Sequence, residues 1–260
     1  MQEGVHFVGA GDGGNRTAIE LSRIYDGLRD GLFYEGHDEP QNHLHIHSFP
    51  FAETPSFNAD YNFIILAGSV HDPCWEEARM TLYENRPYFM LTIGIDAKRE
   101  INSSAFQPFG SECLVFPDPS LFDPIEIAEL VMQIIFIHEP WQSNMCTIGS
   151  LIGYDLADTK ELFSGKITKV LKVKSYKDQY RQNFSRFLSK NRVDLGRAIS
   201  ILISFWGRDD VLSIPKVNEL WEEMKRLTMP EADLAFTFHI LPEGETAFMA
   251  ILFLTTTQSV

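Results

Sequence analysis

Apolar residues fall along this chain in short unbroken runs, separated by stretches with helical spacing. Residues 4–9 (GVHFVG), 61–67 (YNFIILA), 88–95 (YFMLTIGI) and 113–116 (CLVF) are continuous runs of strand length, the pattern of strands buried on both faces. After Asn15, the residues Ala18, Leu21, Ile24, Tyr25 and Leu28 recur on one helical face. Pro73 stands at a first helical position, and that helix reaches to about Asn85. Strands alternating with helices predict a parallel sheet covered on both sides. Residues 31–60, rich in Gly, Pro, Asn, Asp and His, read as loop around one short strand, His43–Phe49. Pro124 begins a long helix to about His138, and its run from Leu130 to Ile137 is broken only by Gln133. A helix apolar nearly all round suits a position between two domains. The remainder reads as helix (155–163), strand (167–173), helix (176–189), strand (198–205), helix (214–227) and strands 233–240 and 246–256.

Composition narrows the class. The 260 residues fit one large or two modest domains. With 44% hydrophobic residues and 20 Phe the chain can bury a core, which excludes wholesale disorder. No apolar run approaches the roughly 18–20 residues that span a bilayer, so direct membrane insertion is not expected. The first residues show neither a basic start nor a cleavable apolar segment. Cys74, Cys113 and Cys146 are odd in number and outside any metal spacing, as expected of reduced thiols in a cytoplasmic protein. The net charge of −14 argues against nucleic acid as a partner. It is unevenly spread: residues 1–150 hold 7 Lys/Arg against 22 Asp/Glu, while residues 160–197 hold 11 against 3. The basic stretch reads either as a solvated face or as an electrostatic surface for a partner.

Three constellations carry candidate chemistry. Gly9-Ala10-Gly11-Asp12-Gly13-Gly14 matches G-x-G-x-x-G between a strand and a helix. Glycines there admit a phosphate to the backbone, and the helix end supplies free N–H groups; the same residues also suit a plain tight turn. A dinucleotide site calls for an acidic residue after a second strand, and residues 30–39 read as loop. His43, His45 and His47 share one face of a strand, as metal ligands or as solvated polar residues; no fourth ligand follows from the spacing, and no metal is assigned. Asp155 and Asp158 stand at a helix start, as a pair positioning water or as an N-cap and a dipole partner. There is no nucleophile elbow and no Walker A lysine loop.

Taken in order, these segments resemble the tubulin/FtsZ superfamily. VHFVGAGDGGNR looks like the first glycine loop of FtsZ, with Asp12 where a Gly is usual. YNFIILAG and PYFMLTIGIDAK resemble the strand leading into the signature loop and the strand after it. CLVFPDPSLF, PIEIAELVMQIIFI and GYDLADTKEL resemble the strand ending in I-P-N-D-K-L-L, the central helix and the N-x-D-x-x-D synergy loop. VNELWEEMKRLTMPEADLAFTFHI resembles the last helix and penultimate strand of the C-terminal domain. The departures lie in the phosphate loops. Where the family has G-G-G-T-G-[ST]-G after Ala67-Gly68, this chain has Ser69-Val70-His71-Asp72-Pro73-Cys74. Pro73 has no N–H to donate, and Asp72 repels an anion. Residues 31–60 are shorter than the family's segment, and Gly153 replaces the first Asn of the synergy loop. The chain stops soon after its last strand, so no tail of the kind by which FtsZ binds membrane tethers is expected.

The resemblance implies an α/β chain: a reduced nucleotide-binding-type (Rossmann-like) domain with a mainly parallel sheet over 1–123, a central helix and synergy-type loop over 124–158, and a smaller α/β domain over 159–260. It implies nucleotide-binding residues Gly9, Gly11, Gly13, Gly14, Asn15, Gly68 and Ser69, with Glu129 near the base. Asp155 and Asp158 would act in trans if the protein is active. GTP or GDP is expected to be weakly held or absent, with Mg²⁺ only if nucleotide binds. The expected role is cytoskeletal or cell-division-related, by head-to-tail assembly with itself or by modulation of a genuine FtsZ. The alternatives are an active GTP-hydrolysing polymer former and a Rossmann-type NAD-dependent oxidoreductase.

Overall fold

The computed structural model describes residues 5–32, 44–52, 63–96, 107–118, 122–138, 150–152, 156–176, 179–208, 210–240 and 246–256. The chain divides into two units, Met1–Ile135 with Phe163–Ile167, and Phe136–Leu162 with Thr168–Val260.

In the first unit, β1 (Val5–Ala10), β2 (Leu44–Phe49), β3 (Phe63–Ser69), β4 (Phe89–Ile95) and β5 (Glu112–Pro117) form a parallel sheet in the order β2-β1-β3-β4-β5. Every residue of β1 and β4 is buried, which is why these strands carry no polar alternation. The helix α2 (Pro73–Glu84) lays Trp75, Ala78 and Leu82 on Val8, Ile64, Leu66, Met90 and Leu114. The helix α1 (Gly11–Leu32) runs along β1, β2 and β3. The helix α3 (Pro124–His138) is opened by Asp123, whose carboxylate accepts the Glu126 N–H at 2.8 Å. Its Leu130, Val131, Met132, Ile134 and Ile135 are all buried, as the apolar run predicts.

One polar group is sunk into this apolar layer. Arg79, on the core side of α2, donates from Nε and Nη2 to the two carboxylate oxygens of Glu112, each at 2.7 Å. Both side chains are buried, 3% and 0% exposed. The carboxylate also accepts from Thr92 Oγ1 at 2.6 Å and from the Phe109 N–H at 2.9 Å. The guanidinium stacks 4.3 Å from the Phe109 ring centre and donates to the Gln107 carbonyl. Burial works against the arginine's charge, but the hydrogen bonds and field of Glu112 hold its pKa above the ordinary value.

In the second unit, β6 (Ser150–Ile152), β7 (Lys166–Ser175), β8 (Ala198–Gly207), β9 (Asp233–Ile240) and β10 (Phe248–Thr256) lie in the order β7-β10-β8-β9-β6. Here β10 is antiparallel to both β7 and β8, β8 is parallel to β9, and β6 is antiparallel to β9. The helices α5 (Tyr180–Lys190) and α7 (Ile214–Lys225) cover one face, with Phe184, Leu188, Val217, Leu220 and Met224 packed on Ile201, Ile203, Phe205, Ala250 and Leu252. Two further helices are short: α4 (Leu156–Phe163) and α6 (Arg192–Leu195). The period of two divides the lysines of β7: Lys169 reaches Asp194 of α6 at 2.5 Å, while Lys172 and Lys174 take the opposite face. Among the described residues no helix is long and apolar enough to cross a membrane.

Removing one partner of a buried pair strands the other charge. Glu112→Ala is expected to cost about 3–5 kcal/mol in urea unfolding, and the double variant Arg79→Met/Glu112→Leu substantially less.

Candidate functional site

The carboxyl ends of β1, β3 and β4 lie side by side, with Ala10 opposite Gly68 and Gly68 opposite Gly94. Such ends, where α/β sheets pass into loops and helices, are where these sheets bind ligands. The helix α1 starts at Gly11, four residues before the start at Asn15 that the apolar spacing indicates. The glycines themselves form the first turn, which the 3.6-residue pattern cannot reveal because they carry no side chain.

Packing accounts for most of these glycines. A Cβ on Gly9 would strike the Gly14 carbonyl, and one on Gly14 would strike the Ala67 carbonyl, so the first turn of α1 lies directly on β1 and β3. A Cβ on Gly68 would stand 2.6 Å from the Trp75 ring and 2.7 Å from the Ala10 carbonyl. Gly11 has φ +64 and touches the Asp72 carboxylate, where any Cβ would fall. Gly13 differs: its nearest neighbours would be Ile95 Cδ1 at 3.7 Å and the Ser69 nitrogen at 3.9 Å, which leaves room. Asn15 Oδ1 is buried with no hydrogen-bond partner. Thus Gly9, Gly11, Gly13, Gly14, Asn15, Gly68 and Ser69 gather at one place, with room beside Gly13 and an unpartnered Oδ1 on Asn15.

The segment after β3 uses its own backbone donors. Val70 N–H goes to the Ile95 carbonyl at 3.2 Å, His71 N–H to Ser69 Oγ at 3.4 Å, and Asp72 N–H to the Ser69 carbonyl at 3.0 Å. Pro73 has none. Asp72 is the N-cap of α2: one carboxylate oxygen accepts Cys74 N–H at 2.9 Å, and its carbonyl accepts Trp75 N–H at 2.9 Å. The carboxylate stands against Gly11, adding negative charge beside the α1 N-terminus, where Asp12 is also exposed.

The other predicted residues lie apart from this turn in sequence. Glu129 is half-buried on α3. Asp158 is exposed in the first turn of α4, and Asp155 and Gly153 lie outside the described residues, so the carboxylate pair is not seen together. His43 also lies outside them. His45 and His47 share a face of β2 and meet His6 of β1, which the sequence reading did not single out. The His6 ring stacks on His45 at 4.8 Å and on His47 at 5.5 Å, and His6 Nδ1 lies 3.2 Å from His47 Nε2. No cluster of His, Cys, Asp and Glu among the described residues is arranged to hold a metal. Burial, then the charges of His45 and His47, push the His6 pKa down to about 4. Burial, then His45, lower that of His47 as well.

No protein-family model and no curated protein sequence matches this chain. Solved structures do. A GDP-bound monomer of CetZ1 from Haloferax volcanii is 10% identical, with 99% of this chain and 95% of that chain covered and a TM-score of 0.62. A GTPγS-bound protofilament of CetZ2 from the same organism is 12% identical (98% and 94% covered, TM-score 0.60). FtsZ from M. jannaschii is 13% identical (99% and 92% covered, TM-score 0.54). The chain therefore has a tubulin/FtsZ-like fold.

Two measurements follow from this geometry. Gly13→Ala is expected to leave urea stability unchanged or raise it by up to about 1 kcal/mol, since helical backbone and open space suit alanine. Gly11→Ala should lose more than about 1 kcal/mol, through its positive φ and the Asp72 contact. For pH, an unfolded histidine titrates near 6.5 and folded His6 near 4. Between those values the unfolded chain binds the proton that the folded chain refuses. Stability is therefore full above about 6.5 and falls as pH drops toward 4, by at most about 3 kcal/mol. His6→Leu should flatten that part of the urea-midpoint profile.

Proposed function

We propose that this protein is a divergent tubulin/FtsZ-like protein of cytoskeletal or cell-division type that holds GTP weakly or not at all. In this reading it acts by head-to-tail assembly with itself, or by modulating a genuine FtsZ. The observation that carries the reading is the state of residues 69–75. The backbone donors that would wrap a phosphate are spent on Ile95, Ser69 and Asp72, and the Asp72 carboxylate leans on Gly11. An incoming phosphate would have to break those bonds and face that charge. What nucleotide contact remains falls to Gly13 and Asn15, with Glu129 near the base and Mg²⁺ only if nucleotide binds. Assembly is supported by the protofilament form of CetZ2 and by the charge asymmetry of the chain, which favours a polar contact between unlike surfaces.

Calorimetry and sedimentation test both halves. GTP is expected to bind with a Kd between micromolar and millimolar, roughly −8 to −4 kcal/mol. Self-association is expected at low salt, to fade above roughly 0.3 M as charges are screened, and to be indifferent to GTP. Nanomolar binding, or polymers that need GTP, would favour the active GTPase. A strictly monomeric protein at high concentration and low salt would leave only the modulating role, tested by mixing with a genuine FtsZ.

A further inference from the structure

Two exposed surfaces, one on each unit, carry opposite charge beside an exposed apolar residue. On α2, Glu76, Glu77, Met80 and Glu84 are all exposed, Met80 to 43%. At 100° per residue they fall within one quarter-turn or so of the helix. Arg79, the only cation of α2, is buried against Glu112 and donates from Nη1 to both carboxylate oxygens of Glu76 at 3.1 Å; among the described residues no ion pair engages Glu77 or Glu84. The outer face of α2 therefore presents an apolar knob, Met80, flanked by the carboxylates of Glu77 and Glu84.

The second surface is where α5 ends and α6 follows. Lys190, Arg192, Val193 and Arg197 are exposed, Val193 to 65%. The turn is tight: Gly196 N–H bonds the Arg192 carbonyl at 2.9 Å and Arg197 N–H the Asp194 carbonyl at 3.1 Å, keeping Arg192, Val193 and Arg197 together. Asp194, the one acid in the turn, is engaged by Lys169, and no carboxylate of the described residues pairs with Lys190, Arg192 or Arg197. Lys190 suits the negative end of α5; Arg192 and Arg197 lie beyond that helix and answer to no such partner. This surface is an apolar knob ringed by cations.

We infer that the acidic Met80 face of one copy docks on the basic Val193 face of another. The inference rests on the self-association proposed above and adds the surfaces that meet. Two α2 faces repel each other, as do two α5–α6 faces, so a two-fold symmetric pairing through either is disfavoured. A contact between unlike faces is heterologous and continues into a chain or ring. Met80 adapts its shape to a branched neighbour, and the surrounding charges steer the encounter.

The test uses the full-length chain in sedimentation velocity at low salt, with circular dichroism to check folding. Glu77→Lys/Glu84→Lys and Arg192→Glu/Arg197→Glu should each weaken self-association at least tenfold. An equimolar mixture of the two variants should restore it, because each reversed face then meets its complement on the other chain. Met80→Ala should weaken association without changing its salt dependence. Variants that associate like the wild type, or a mixture that stays apart, would overturn the inference while leaving assembly itself standing. A wild-type chain that never associates overturns both. If instead Arg192→Glu/Arg197→Glu abolishes binding to phosphatidylserine vesicles while copies still associate, the basic face belongs to a membrane surface and the inference fails.

Discussion

The Arg79–Glu112 pair is the constraint on which the first unit depends. Its bonds gather α2, β4 through Thr92, and the turn before β5 through Gln107 and Phe109. The Glu112 carbonyl also accepts Gly165 N–H at 2.8 Å, within the same unit. A buried ion pair of this kind gives little net stability over apolar residues, because desolvation cancels much of the attraction. What it provides is position: α2 can slide neither along the sheet nor around its own axis without stranding a charge. Both the site and the surface inherit that position. The N-terminus of α2 brings Asp72 against Gly11, and the burial of its only cation, which pairs with Glu76 but not with Glu77 or Glu84, leaves the outer face acidic.

Asp72 decides what the α1 and α2 termini can do. A helix N-terminus ordinarily offers unsatisfied N–H groups to an anion. Here an internal carboxylate takes the offer of α2 and lends its charge to the neighbourhood of α1. Capping and anion binding compete for the same donors, and a cap worth about 1 kcal/mol is enough to hold a short turn in place. The glycines nearby then lose their usual meaning. Gly9, Gly14 and Gly68 let a helix and two strands touch, a need that persists whether or not a phosphate is present, so a glycine-rich sequence survives as a structural requirement.

The strands were legible in the sequence where they are buried on both faces: β3 and β4 are found within two residues of their apolar runs, and α3 begins and ends where Pro124 and His138 indicate. The α/β class also follows from the order of elements. What the sequence hid has particular reasons. The start of α1 lies in glycines that carry no periodic signal. The short β6 and α6 are too brief for one, and β6 is defined only by its pairing with β9. Glu112 heads β5, one residue before the apolar run 113–116, and its pairing with Arg79, 33 residues away on α2, leaves no mark in the linear sequence. His6 joins His45 and His47 only through strand pairing, which a linear reading does not supply. At the site, the loss of the signature glycines and the obstacles posed by Asp72 and Pro73 were readable; that the loop bonds to itself was not.

Charge shows the same limit. The basic stretch counted along the chain is not one surface. Lys169 faces α6 and is paired, Lys172 and Lys174 face the other side of the same strand, and Arg181 is engaged by Glu219 of α7. A period of two in β7 and a helix turn in α5 scatter cations that are neighbours in sequence. What remains concentrated is the short turn around Val193, where the fold folds back tightly enough to keep its cations together and spends its one acid elsewhere. The acidic half behaves in the opposite sense: on α2 the helical repeat collects Glu76, Glu77 and Glu84 on one side, and the buried arginine engages Glu76 but neither Glu77 nor Glu84. Polarity of charge in the folded chain thus comes less from how many charges each half carries than from which ones the sheet and the core leave outside.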